Sequence, residues 1–175
     1  AGDSINTQRF PDFSTMQDEL ASGYLDYRDN ITANGDTAWV APVGLAFEHI
    51  HDKIVAEGGP PTNSGNTFYD LYSVDGSHPS LSGSYLSAAV IYATITGDDP
   101  VGLSHSTSLS NGLVLELQQA AAATVFNETS HLDYPWQTHS GAGGNGPSLT
   151  IPANHTHSFD SAVSLVIHLN HHEND

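Results

Sequence analysis

The chain reads as an α/β protein, and three observations carry that reading. Four stretches between residues 14 and 126 place apolar residues at helical spacing. The run Thr37 to Val43 is short, apolar and bounded by turn residues, as in a buried strand. Residues 161–171 put Val163, Leu165, Ile167 and Leu169 on one side and Ser164, His168 and Asn170 on the other, a strand period. Residues 1–126 are therefore expected to form an α/β unit, and 127–175 a loop-rich tail with β-strands.

Each element has a local cause. The first helix is expected over 14–28: Ser14 or Thr15 caps it, Asp18 and Glu19 favour its positive end, and Met16, Leu20, Tyr24 and Tyr27 form its apolar stripe. Asn34-Gly35-Asp36 is a turn. The strand over 37–43 ends at Pro42. A second helix covers Val43 to Ala56 through Leu45, Phe47, Ile50 and Ile54, and Gly58-Gly59-Pro60-Pro61 stops it. Phe68 to Tyr72 suits either helix or strand. A third helix covers about 81–96, with Tyr85, Leu86, Ala89, Val90 and Ala93 inward and Gly97 and Pro100 ending it. A fourth covers about 111–126, with Leu113, Leu117, Ala120 and Ala121 inward. Ser148 to Ile151 is a further strand candidate.

Charge dominates the composition. Twenty acidic residues face three basic ones, Arg9, Arg28 and Lys53, for a formal net charge of −17 over 175 residues. Such a chain repels phosphate backbones, so no nucleic-acid partner is expected. It suits high salt, divalent cations or cationic partners. The first residues lack the basic and apolar regions of a signal peptide, and no apolar run spans a bilayer. Cysteine is absent, which excludes disulfides, thiolate metal sites and a cysteine nucleophile. Three sequons, at Asn30, Asn127 and Asn154, lean towards glycosylation and an extracellular or cell-surface setting.

The stretch richest in chemistry is Phe68-Tyr69-Asp70-Leu71-Tyr72-Ser73-Val74-Asp75-Gly76-Ser77-His78-Pro79-Ser80, followed by Gly83 and Tyr85-Leu86. An Asp three residues before a His, on a loop entering a helix, can serve one site. The carboxylate accepts the Nδ1 proton and leaves Nε2 to act as base. Gly76 allows a tight backbone path, and Pro79 keeps His78 out of helical geometry. By spacing alone the pair also fits a solvated loop in which Asp75 caps a turn.

This block resembles the last conserved block of the SGNH (GDSL-like) esterase/lipase superfamily, in which an Asp-x-x-His-Pro segment precedes a helix. The resemblance extends to Ser82 to Leu86, to Thr96-Gly97-Asp98-Asp99-Pro100-Val101-Gly102, to Phe10 to Asp18 and the helix up to Tyr27, and to Val40-Ala41-Pro42-Val43-Gly44. It implies the later half of a flavodoxin-like three-layer fold. It also implies an esterase in which Asp75 orients His78 and His78 activates a serine, with no cofactor. The substrate class implied is an acylated carbohydrate, a lipid or a similar ester.

The family's Gly-x-Asn-Asp element is missing from residues 1–40. Gly2-Asp3-Ser4 makes Ser4 the nucleophile candidate within the chain, yet no strand precedes it and it lies close to Asp75 in sequence. The serine is therefore expected from a preceding segment. A half-sheet leaves apolar strand edges open, so the partner expected is that segment or further copies of this chain. The alternative is a structural or interaction module of an extracellular assembly, derived from the same fold without catalysis.

Eleven histidines are present. His49 and His51 fall on different faces of the second helix. His155, His157 and His168 are the candidates for a metal, weighed against exposed polar histidines in an acidic tail. Tyr134 and Trp136 suit either a sugar platform or core packing.

Overall fold

The computed structural model describes residues 10–127, 132–137 and the backbone of 163–167. Its elements, in chain order, are α1 (Phe13–Ala33), β1 (Thr37–Ala41), α2 (Val43–Ala56), the single turn α3 (Thr67–Asp70), α4 (Leu81–Thr96), α5 (Asn111–Phe126) and β2 (Val163–Ile167). Strands β1 and β2 run parallel, with Thr37 opposite Val163 and Ala41 opposite Ile167.

Side chains on β1 alternate between two packed layers, as a strand requires. Ala38 and Val40 meet Tyr24, Leu25 and Ile31 of α1. Ala41 belongs to the main core, with Phe47 and Ile50 of α2, Leu86, Val90 and Ala93 of α4, and Leu117 and Ala121 of α5. Helices thus cover both faces of β1, the arrangement expected of a parallel strand. The described residues supply only these two strands, fewer than the sheet of a flavodoxin-like domain.

The boundaries of α2, α4 and α5 match the sequence expectation; α2 starts after Pro42 without a side-chain cap, whereas α4 and α5 start at strong ones. Ser80 Oγ accepts from the N–H groups of Ser82 and Gly83 at 3.1 and 3.3 Å, and Ser110 Oγ accepts from Leu113 N–H at 3.3 Å. Gly97 ends α4 at φ 74°, the left-handed region, and its N–H reaches Ala93 O. A Cβ on Gly97 would sit 2.7 Å from Trp136 Cγ, so the missing side chain is also what lets the indole lie against this end of the helix.

Helix α1 departs from expectation. Asp12, not Ser14 or Thr15, is the cap: its Oδ1 accepts from Thr15 N–H at 2.8 Å, and this bond is what chiefly holds its carboxyl below the ordinary value. The helix continues to Ala33, past the weak helix formers Asp29 and Asn30, because Ile31 packs against β1. The side chains of Asn30, Thr32 and Asn34 each bond a carbonyl four residues back. Tyr27, expected inside, is 59% exposed, whereas Phe13 and Gln17 are fully buried. The first strand is shorter than 37–43, since Pro42 begins the turn into α2. The ambiguous 68–72 stretch is one helical turn followed by an isolated antiparallel bridge, Tyr72 to Pro79. Of the late strand expected over 161–171, Val163–Ile167 is a strand, and the remainder, like the candidate at 148–151, lies outside the described residues.

A polar node fixes the α4–α5 connection. Gln118, buried on α5, accepts from Gly102 N–H at 2.9 Å and donates to Tyr85 Oη and Leu103 O, both at 2.8 Å. Its amide is satisfied in three directions, as a buried amide should be. Gln17 is the opposite case: it is fully buried, and among the described residues neither its amide nitrogen nor its amide oxygen has a hydrogen-bond partner. Leaving such groups unpaired costs about 1–3 kcal/mol. Gln17→Leu is therefore expected to raise unfolding stability by about 1 kcal/mol or more in urea titration. A clear loss of stability would show that the amide is bonded in solution.

Candidate active site

The loop from Ser73 to Pro79 is pinched at its base. Ser73 N–H donates to His78 O at 2.8 Å, and Ser80 N–H donates to Leu71 O at 2.8 Å. Ser73 Oγ donates to Pro79 O at 3.1 Å, and Ser80 Oγ to Asp70 O at 2.6 Å. The base is anchored in the core, since Phe68 and Leu71 are fully buried and Tyr72 nearly so. The tip turns through Gly76, at φ 69°, whose N–H reaches Ser73 O at 2.8 Å. Gly83 in the first turn of α4 presses on the Leu71 carbonyl so closely that a Cβ would overlap it. This contact sets the distance between the loop and α4.

Asp75 and His78 come together at the tip. His78 Nδ1 lies 2.7 Å from Asp75 Oδ2. The second oxygen, Oδ1, accepts from Ser77 N–H at 2.9 Å and His78 N–H at 3.0 Å. These bonds hold the Asp75 carboxyl well below its ordinary 3.8, at about 2; the Ser77 N–H is the largest cause, then the His78 ring, then the His78 N–H. At neutral pH Asp75 can therefore only accept, and the proton between the two residues belongs to Nδ1. When the ring is neutral, its lone pair sits on Nε2. Both side chains are about half exposed, 57% for His78 and 48% for Asp75. Val74, beside them, is fully exposed, and Leu81 at the start of α4 is half exposed.

The Asp75–Gly76–Ser77 turn legibly joins Asp75 to His78. The roles of the Ser77 N–H and of Gly83 escape sequence reasoning. The first is a backbone group, and the second depends on which carbonyl a folded chain brings near.

Other candidates lie elsewhere. Ser4, His155, His157, His168 and Asn154 fall outside the described residues. Among the described residues no group of three His, Asp or Glu side chains could hold a metal ion. His49 is exposed, whereas His51 packs between Phe13 and Phe68, with ring centroids 4.9 and 5.0 Å away, and its Nδ1 lies 2.9 Å from Asp52 Oδ1. The two therefore form no ligand pair. Asn30 is exposed on α1, and its Nδ2, the atom a glycan would occupy, donates to Asp26 O at 2.8 Å. Asn127 is exposed at the end of α5. Tyr134 is buried and stacks on Trp136 with ring centroids 5.9 Å apart, while Trp136 packs on Gly97 and Phe126. This pair is packing rather than a sugar platform. No helix among the described residues is long and apolar enough to cross a membrane.

Two expectations follow. The Asp75 carboxyl is depressed on folding, so it favours the closed loop above the unfolded value near 4 and loses that effect as pH falls towards 2. Carbon-detected NMR should give an Asp75 midpoint near 2; in His78→Ala it should rise yet stay below 3.8, because the Ser77 N–H remains. An unshifted midpoint in the parent chain would mean the loop is open. Gly83→Ala should cost about 1–3 kcal/mol in urea titration and shift the His78 ring resonances; unchanged resonances would remove the link between α4 and the loop. Comparisons of the chain with protein-family models, with curated proteins and with solved structures give no match.

Proposed function

We propose that Asp75 and His78 form the acid–base pair of an SGNH-type serine ester hydrolase, with the chain as the later half of its flavodoxin-like domain and the serine supplied by a preceding segment. The observation that carries this reading is the 2.7 Å bond from His78 Nδ1 to a carboxylate held ionised by two backbone N–H groups. A helix-covered parallel strand ending just before α2, and the uncovered Val74 beside the pair, are consistent with a framework completed by further chain. Acyl esters of exterior carbohydrates or lipids are the substrates proposed, in an extracellular or cell-surface setting.

The chemistry assigns each atom a task. The serine hydroxyl attacks the ester carbonyl carbon as its proton passes to His78 Nε2. The imidazolium is steadied by Asp75, which stays ionised. The same proton then leaves with the departing alcohol as the C–O bond breaks. Water repeats the sequence on the acyl-serine and releases the acid. Because the ring acts as base only when unprotonated, kcat/KM should fall on acidification.

A non-catalytic interaction module is the second reading. The observation favouring it is that Asp75 Oδ1 is wholly engaged with the loop's own backbone, so the carboxylate also serves as a loop lock. Kinetics on the complete gene product separate the two. With an aryl acetate, His78→Ala is expected to lower kcat by about 10³-fold or more. Turnover unchanged by that substitution, or none in the parent, would leave the module.

A further inference from the structure

We propose that the Asp75–His78 site selects uncharged or cationic esters and turns away anionic ones, an inference that rests on the hydrolase reading. Recognition of an anionic ester is strongest where a cationic side chain is within reach to offset the charge of the chain. The chain carries −17, with only three basic residues. Two of these are described, and each is already in an ion pair. Arg28 on α1 holds its neighbour Asp29 through Nε at 2.8 Å and Nη2 at 2.6 Å. Lys53 on α2 holds Glu116 on α5 at 2.7 Å, and Glu116 is fixed in turn by Thr67 Oγ1 at the opposite end of α3 from the loop. Arg9 lies outside the described residues.

The loop itself adds negative charge. Asp75 stays ionised at any pH at which a histidine base works. Asp70, just before the loop, is exposed as well. The flanking uncovered groups, Val74 and Leu81, are apolar. A substrate approaching His78 thus meets apolar surface and negative potential. Exposed charges are screened over about 10 Å at 0.1 M salt, so the selection should be strong in dilute buffer and vanish in concentrated salt.

The test has two arms. In the first, the chain is mixed at pH 8 with cationic, neutral and anionic nitroxides, and the paramagnetic relaxation of the His78 ring protons is read at 10 mM and 1 M NaCl. The cationic probe is expected to relax them severalfold more than the anionic one at low salt, and equally at 1 M. Equal or reversed effects at low salt would overturn the inference. In the second arm, the complete gene product is given phenyl acetate, its trimethylammonio derivative and its carboxylate derivative. Each rate is divided by its own rate at 1 M NaCl, so that leaving-group differences cancel. On lowering the salt, kcat/KM should rise about tenfold for the cationic ester, fall about tenfold for the anionic one and hold for the neutral one. A salt response of opposite sign, or the same for all three, overturns the selection. Absence of turnover on every ester sinks the hydrolase reading instead, and the first arm still decides the charge inference.

Discussion

The backbone of α4 and the carbonyl of Leu71 touch at Gly83, and the geometry of the site descends from that contact. Leu71 is fixed because it is fully buried between the helices. Its carbonyl also accepts from Ser80 N–H, so one peptide group meets both the helix cap and the helix's first turn. With both ends of the loop held, seven residues must close in a small space. The tight turn at Gly76 and the bonds into Asp75 complete that closure. The exposed pair at the tip is therefore ordered from below, by core packing.

Much of this layout is legible in the sequence where local chemistry decides. Ser80 and Gly97 bracket α4, Ser110 begins α5, and Pro42 with Gly58 brackets α2; these signals act over three or four residues. The Asp75–His78 pairing is legible for the same reason, since a glycine between them permits the turn. Where the outcome depends on distant packing, legibility fails. Asp29 and Asn30 argue for an early end to α1, but Ile31 finds β1 and the helix goes on. The apolar spacing of Tyr24 and Tyr27 suggests a shared buried face, yet only Tyr24 packs on β1, Tyr27 is exposed, and the fully buried positions are Phe13 and Gln17. No periodicity argument would place an unsatisfied glutamine in a core.

Electrostatics and packing divide the work unevenly. The described lysine and arginine sit in exposed or half-exposed pairs, which typically contribute about 0–1 kcal/mol each. They hold little of the fold together. Apolar residues on α2, α4 and α5 supply the cohesion, with alanines at 89, 93, 120 and 121 lining the meeting of α4 and α5. The Gln118 node ties the intervening connection to that seam. A surface of mostly one sign thus costs the core little, and it leaves the field around the exposed loop largely uncompensated.

The indole of Trp136 lying on Gly97 bears on how the chain is made. A ribosome delivers α4 well before it delivers residue 136. During that interval the end of α4 lacks the indole that lies on it, which is still being translated. Vectorial synthesis therefore makes the short segment 132–137 a late cover for the end of α4, and β1 waits longer still for β2.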